Sequence, residues 1–384
     1  MTRTNEPIDA PRMVDEMLRE AIRRRASDIH VEPEADDYVL RYRVDGLLED
    51  RRRLAPATGR GVVNRLMVMA QLLTYRLDVP QEGRIALPDT HDSADGGMSA
   101  DATSGDTTCG GAGSGGSASG GGSARLAIMP TAQGLRAVIR LPADLYQPRT
   151  LDELELPATA LAGLKRFAAA DAGMLLVTGP AGSGKTTTIY ALLDHIRATQ
   201  PGLSIITLED PVERHLPGIT QIEVTPFGEL TCERALKSIL RQDPQVLMLG
   251  EIRDRSTASL AVQAALTGHR LVSTLHAGDP AAALARLLEM GIEPYQIVSA
   301  VFGVTSQRLL RRTEGGGYRG RAAAAEFAEL DPELRKAVLD RSDAASIRGI
   351  LTRRPGHERL IDAARRLVDA GLTDDAEVKR VLGE

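Results

Sequence analysis

Residues 179–186 read Gly-Pro-Ala-Gly-Ser-Gly-Lys-Thr, directly after the apolar run Met174-Leu175-Leu176-Val177-Thr178 and before the helix-like Thr187-Thr188-Ile189-Tyr190-Ala191-Leu192-Leu193. This is G-x-x-x-x-G-K-[ST] in the strand–loop–helix setting that a phosphate cradle needs, whereas an ordinary glycine-rich turn requires neither the fixed positions nor the flanks. Glycines let successive backbone N–H groups converge on phosphate oxygens, and the following helix adds the positive end of its dipole. Gly179, Gly182, Ser183, Gly184, Lys185, Thr186 and Thr187 are the candidate set for a nucleoside triphosphate. Lys185 would bridge the β- and γ-phosphates, and the Thr186 hydroxyl would bind Mg²⁺.

The pattern around this loop predicts an α/β fold. Strands at 175–178, 204–208, 246–249 and 270–275 alternate with helices at 185–198, 233–242 and 257–267. Such alternation implies a parallel-dominated sheet with nucleotide at the strands' C-terminal ends. This second domain runs from 151 to 312, after a linker at 143–150. Ahead of it, residues 12–142 read as a small α+β domain. It opens on an amphipathic helix over 11–25, with Met13, Val14, Met17, Leu18 and Ile22 on one stripe. Strands follow at 28–32 and 38–44, then the Asp45-Gly46 turn, a helix over 61–73, and strands at 125–128 and 135–141. A stretch rich in Gly, Ser, Ala, Asp and Thr over 90–124 interrupts it and is expected to be a disordered surface loop, with Cys109 an exposed bystander. From 313 the chain is expected to form a helical C-terminal region (332–339, 344–351, 360–370, 376–382), with Gly315-Gly316-Gly317 at the junction.

At 384 residues the chain is long enough for two or three such domains. A net charge of −5 argues against a dedicated nucleic-acid binder. Lysine is scarce, five among 47 basic residues, which sets Lys185 apart. Cys109 and Cys232 can build neither a disulfide framework nor a four-ligand zinc site. No secretory signal opens the chain and no apolar run reaches the roughly 20 residues that span a bilayer, so a cytoplasmic location is expected.

Hydrolysis needs more than a cradle: a carboxylate for water, and cations facing the developing charge. The run Val246-Leu247-Met248-Leu249 ends at Gly250-Glu251, and a carboxylate at such a strand tip points towards the phosphate loop. Glu251 is therefore the candidate water-activating base. Gly250 stands where an Asp is usual, so metal positioning would fall to Thr186, water and a second acid. Glu209, in Glu209-Asp210-Pro211-Val212-Glu213 at the end of the neighbouring strand, is that acid, acting on Mg²⁺ through water. Glu213 is either part of this site or a cap on the following turn. A third strand tip, Ser273-Thr274-Leu275-His276, offers His276 as a sensor of the γ-phosphate; His269 is either functional or a helix-end partner.

Together these residues resemble the secretion ATPases that power type II secretion and type IV pilus assembly, the type II secretion system protein E-like family. The likeness runs through Arg25-Ala26-Ser27-Asp28-Ile29-His30-Val31-Glu32-Pro33, Tyr42-Arg43-Val44-Asp45-Gly46, Pro80-Gln81-Glu82-Gly83-Arg84-Ile85 and the phosphate loop. It continues through Leu208 to Glu213, Leu216-Pro217-Gly218-Ile219-Thr220-Gln221, Arg241-Gln242-Asp243-Pro244, Gly250-Glu251-Ile252-Arg253-Asp254, Thr267-Gly268-His269 and Thr274-Leu275-His276. Gln307-Arg308-Leu309 and Gly317-Tyr318-Arg319-Gly320-Arg321 also fit, and Gly250 belongs to the family's own acidic motif.

The resemblance implies a RecA-like P-loop ATPase core using ATP and Mg²⁺, in a homohexamer whose small domain closes over the nucleotide. It implies that Arg125 and Arg140 of that domain reach the phosphates, with Arg136 a third candidate; the other reading makes them solvated strand-face charges. A guanidinium suits the task because it stays charged and contacts phosphate bidentately. It also implies a cytoplasmic motor, peripheral to the inner membrane through a platform protein. The likeness is to a short form without the extra N-terminal domain. The stretch 310–316 holds no cysteine, so no zinc is expected. Competing expectations are a pilus retraction ATPase, a nucleotide-gated scaffold that does not hydrolyse ATP and, more distantly, a P-loop kinase or a nucleic-acid translocase.

Overall fold

The computed structural model describes residues 9–88, 123–142, 150–224 and 230–383. The glycine-rich stretch apart from residues 123 and 124, Cys109 and the linker up to 149 lie outside the described residues. The chain divides into two compact units, Met1–Leu145 and Tyr146–Glu384.

In the first unit, helix α1 (Ala10–Arg23) starts at Asp9, whose carboxylate accepts the Arg12 N–H at 3.2 Å, with Pro11 in the first turn. Strands β1 (Ala26–Pro33), β2 (Tyr38–Val44), β3 (Leu47–Leu54), β4 (Gln81–Ala86), β5 (Ser123–Thr131) and β6 (Gly134–Arg140) form one antiparallel sheet in the order β3-β2-β1-β6-β5-β4. Alternation assigns the two faces. Ile29, Val31, Leu126, Ile128, Ala137 and Ile139 pack beneath α1 and α2 (Pro56–Met69) with Val14, Leu18, Val62 and Leu66. The other face carries Asp28, His30, Glu32, Arg125, Arg136 and Arg140.

In the second unit seven strands run in the order β13-β12-β7-β11-β10-β8-β9. They are β7 (Gly173–Thr178), β8 (Ile205–Glu209), β9 (Thr220–Glu223), β10 (Val246–Leu249), β11 (Arg270–Leu275), β12 (Val301–Glu314) and β13 (Gly317–Glu329). Every pairing is parallel except β12 with β13. Alternation again separates two cores, because the strands are buried on both faces. Leu175, Val177, Ile205, Met248 and Val272 meet α3 (Ala158–Ala169) and α4 (Lys185–Thr199). Met174, Leu176, Ile206, Leu247 and Leu271 meet α5 (Cys232–Ile239), α6 (Arg255–Leu266), α7 (Pro280–Glu289) and α8 (Pro294–Ala300). This is the parallel-dominated α/β core that the sequence predicts.

The region after 312 differs from expectation. Residues 315 and 316 turn the hairpin between β12 and β13, with Glu314 opposite Gly317, so the glycines mark no junction. The strand β13 includes Ala322-Ala323-Ala324-Ala325, which propensity favours as helix. It is a strand because its residues pair along β12 and pack on both sides, with Ala324, Ala325 and Ala328 buried. The helical region begins only at α9 (Pro332–Leu339), followed by α10 (Ala344–Arg353), α11 (Leu360–Asp369) and α12 (Asp375–Leu382). Leu310 and Ala324 of the hairpin pack with Leu360, Ala364 and Val378 of α11 and α12. Among the described residues no helix is long and apolar enough to cross a membrane.

Candidate nucleotide site

The tips of β7, β8, β10 and β11 lie along one edge of the parallel sheet, since Thr178 pairs with Leu275 and Leu249 with both Ser273 and Leu208. A cleft of about 470 Å³ opens there, lined by Lys185, Thr186, Asp210, Glu213, Glu251 and His276. The phosphate loop follows Thr178 directly. Gly179 and Gly184 need glycine: their φ values are +141° and +88°, and at Gly179 a Cβ would stand 2.6 Å from the Gln307 carbonyl oxygen. Lys185 opens α4, and its Nζ donates to the carbonyls of Gly179 and Pro180, each at 2.9 Å. Burial lowers its pKa below the ordinary lysine value, with Arg308 adding to the effect and Glu251 opposing it.

Glu251 stands two residues beyond β10. Its Oε1 lies 3.0 Å from His276 Nε2, and its Oε2 accepts from Arg253 Nε at 2.7 Å. The tips are tied by Gly250 N–H to the Leu208 carbonyl (2.8 Å), Ile252 N–H to the Thr274 carbonyl (3.0 Å) and the Thr274 hydroxyl to the Gly250 carbonyl (2.6 Å). Gly250 fits this crossing closely, for a Cβ there would meet the Leu208 carbonyl oxygen at 3.3 Å.

Glu209, the expected acid acting on Mg²⁺ through water, borders the cleft from a buried position. It is the last residue of β8 and only 3% exposed. Its Oε1 accepts from the Thr207 hydroxyl at 2.6 Å and from Gln221 Nε2 at 3.1 Å, and its Oε2 accepts from the Tyr190 hydroxyl of α4. Burial, then the Glu209 carboxylate, raise the pKa of that phenol. Gln221 also accepts from Leu216 N–H and donates to the Arg214 carbonyl, while Tyr190 oxygen accepts from Glu213 N–H. Glu209 thus sits at the centre of a buried network joining the helix after the phosphate loop to the segment 210–221. Asp210, Glu213 and Glu251 line the cleft as well, and Glu209 borders it from within this network. His269 closes the end of α6, its Nδ1 donating to the Ala264 carbonyl at 2.9 Å.

The arginines of the first unit form a row on its polar face. Arg84 faces Arg125 across β4 and β5, Arg125 faces Arg140 across β5 and β6, and Arg140 faces Asp28 on β1. Asp28 Oδ1 accepts from Arg140 Nε at 3.1 Å, whereas Arg136 pairs with Glu32 at 2.8 Å and reaches His30. Like charges directly opposite in a sheet are destabilising, and here Asp28 offsets the row only at its Arg140 end. Sequence reasoning did not single out Tyr190, Thr274 or Gln221 for a role, although each lies in a quoted motif; nor did it give one to Gln307 or Arg308 of Gln307-Arg308-Leu309.

A model of the Type II/IV secretion system protein family matches residues 4–99 and 122–380. The chain belongs to this family. It is 38% identical over 376 residues to the type II secretion system protein HxcR of Pseudomonas aeruginosa, which covers 91% of the chain and 74% of that protein. It is 40% identical over 307 residues to the type II secretion system ATPase E of Vibrio cholerae, covering 79% of the chain and 55% of that protein. It is 33% identical over 384 residues to the type IV pilus assembly ATPase PilB of Thermus thermophilus, covering 90% of the chain and 40% of that protein. In fold it is similar to the Legionella pneumophila ATPase DotB, with a TM-score of 0.73 at 20% identity over 99% of this chain and 98% of that one. It is likewise similar to the pilus retraction motor PilT with bound ADP, with a TM-score of 0.65 at 23% identity over 98% and 97%. The chain is a P-loop ATP hydrolase of the secretion ATPase family, with the RecA-like core that the family resemblance implies.

Proposed function

We propose that this ATPase is a motor of type II secretion or type IV pilus assembly, working in the cytoplasm as a homohexamer against an inner-membrane platform protein. The observation that carries the reading is Glu251, held over the same cleft as Lys185 and Thr186 by His276 and Arg253. A scaffold that only binds nucleotide has no use for a carboxylate so placed.

In this reading Lys185 and the loop N–H groups hold the triphosphate, and Glu251 accepts the proton of the water that attacks the γ-phosphorus. Thr186, Asp210 and Glu213 offer the hydroxyl and carboxylate oxygens that suit Mg²⁺; among the described residues no cluster of three or more His, Cys, Asp or Glu could hold a metal by itself, so the nucleotide's own phosphates would complete the site. When bound, Mg²⁺ would neutralise charge on the β- and γ-oxygens. Glu209 holds the 210–221 segment in place around these oxygens. Arg125 and Arg140 supply guanidinium groups to the phosphates, from the same copy or a neighbouring one.

Turnover of Mg-ATP by the full chain, beside Lys185→Ala and Glu251→Gln, tests the hydrolytic part. Wild-type turnover no faster than that of Glu251→Gln would overturn it. The two machines are separated by gene neighbourhood: secretin and pseudopilin genes alongside support secretion, pilin genes the pilus.

A further inference from the structure

A loop that turns its N–H groups towards a phosphate turns its carbonyls the other way, and a buried carbonyl needs a donor. In this chain one donor comes from outside the loop. Gln307, only 1% exposed on β12, donates from Nε2 to the Ser183 carbonyl at 2.7 Å. The strand that carries it is locked beside the loop's own strand. Ser306 pairs with Thr178 across β12 and β7, and the hydroxyls of these two residues hydrogen-bond each other. Gln307 follows Ser306 on β12, and Gly179 follows Thr178 as the first residue of the loop.

Both ends of the loop rest on this residue. A Cβ at Gly179 would come within 2.6 Å of the Gln307 carbonyl oxygen, and one at Gly184 within 3.0 Å of its Nε2. Arg308 fixes the same carbonyl from the far side: Nη1 donates to Gln307 O at 3.0 Å and Nη2 to Gly278 O at 3.1 Å. Gln307 Oε1 and Ser183 Oγ are buried without partners, so the amide's hold on the loop runs through its Nε2.

We infer that Gln307 is a positioning residue for the phosphate loop, its amide capturing the Ser183 carbonyl so that the loop N–H groups stay on the ligand side. This rests on the nucleotide reading above. Gln307→Met keeps the length of the side chain and removes the donor. Leaving a buried carbonyl unpaired penalises the cradle shape, so binding of mant-ADP with Mg²⁺ to the full chain should weaken roughly tenfold. Because ground state and transition state lose the same support, KM for ATP should rise in step while kcat stays within about threefold.

A folded Gln307→Met with wild-type mant-ADP affinity and wild-type KM overturns the inference. So does a fall in melting temperature and kcat with KM unchanged, which is what a merely structural residue gives. If Gln307→Met does not fold, Gln307→Leu decides: its side chain has no donor, and wild-type affinity in that variant is equally fatal. Failure of the wild type itself to bind mant-ADP would instead sink the nucleotide reading, and the role of Gln307 with it.

Discussion

Glu377 of α12 is fully buried, yet both its oxygens are charged-hydrogen-bond acceptors. Arg311 donates to it from its backbone N–H at 3.0 Å, from Nε at 3.0 Å and from Nη2 at 2.7 Å, and Arg380 adds two bonds at 2.7 and 2.5 Å. Burial alone would push the pKa of Glu377 up; the bonds to Arg380 and Arg311 outweigh it and take it from the ordinary 4.5 to about 2. At about 1.4 kcal/mol per pH unit, the ionised form is favoured in the folded chain by about 3 kcal/mol. Because the folded value lies below the unfolded one, this stability is complete above pH 4.5 and is lost as pH falls towards 2. Glu377→Gln should therefore lower the stability of the second unit by about 3 kcal/mol at pH 7, a melting shift of roughly 6–12 °C in a unit of this size. At pH 3 the gap should shrink to about half. Thermal melts of wild type and variant by circular dichroism, at pH 7 and pH 3, read both numbers. An equal gap at the two pH values, or no gap at pH 7, would refute the assignment of the stability to charge.

Glu251→Gln should keep mant-ADP affinity within about twofold and cut ATP turnover by roughly 10²–10⁴, the range for loss of a positioned general base; single-turnover assays check it. Tyr190→Phe removes the hydroxyl that donates to Glu209 Oε2 and accepts from Glu213 N–H, and should destabilise the chain by about 1–3 kcal/mol in urea unfolding. Arg125→Ala removes a cation opposed by Arg84 and Arg140, so stability should hold or rise by a few tenths of about 1 kcal/mol, while turnover falls by about tenfold or more if the guanidinium serves the phosphates.

The core of the second unit was legible because its strands are short apolar runs and its loop carries fixed residues. The strand tips at Leu249 and Leu275 followed from the same runs, and with them Glu251 and His276 in one cleft. The hairpin of β12 and β13 was not legible. Its alanines carry no strand signal of their own, and the pairing partner that makes them a strand is chosen by tertiary packing. That loss had a consequence at the site, since Gln307 and Arg308 support the phosphate loop only because β12 lies beside β7. The polar face of the first unit was half legible: alternation puts Arg125 and Arg140 on one face, but their direct opposition depends on register, which the sequence leaves open.

Glu209 and Glu251 read alike in the sequence, each an acid at the end of an apolar strand, and the structure gives them opposite circumstances. Glu209 ends inside the strand, 3% exposed, and meets three neutral donors from Thr207, Gln221 and Tyr190. Turning it towards a metal would strand those donors in a buried site, at about 1–3 kcal/mol for each one left unpaired. Glu251 lies two residues past its strand, its partners are the cationic or ionisable Arg253 and His276, and both stand more than half exposed. Those contacts exchange with water cheaply, because exposed ion pairs contribute little. A carboxylate that must release its partners to take a proton belongs in the second setting, and one that must keep a loop in place belongs in the first. The proposed division of labour between the two acids therefore follows from one difference in strand length, β8 running one residue further than the apolar run 205–208 and β10 stopping at Leu249.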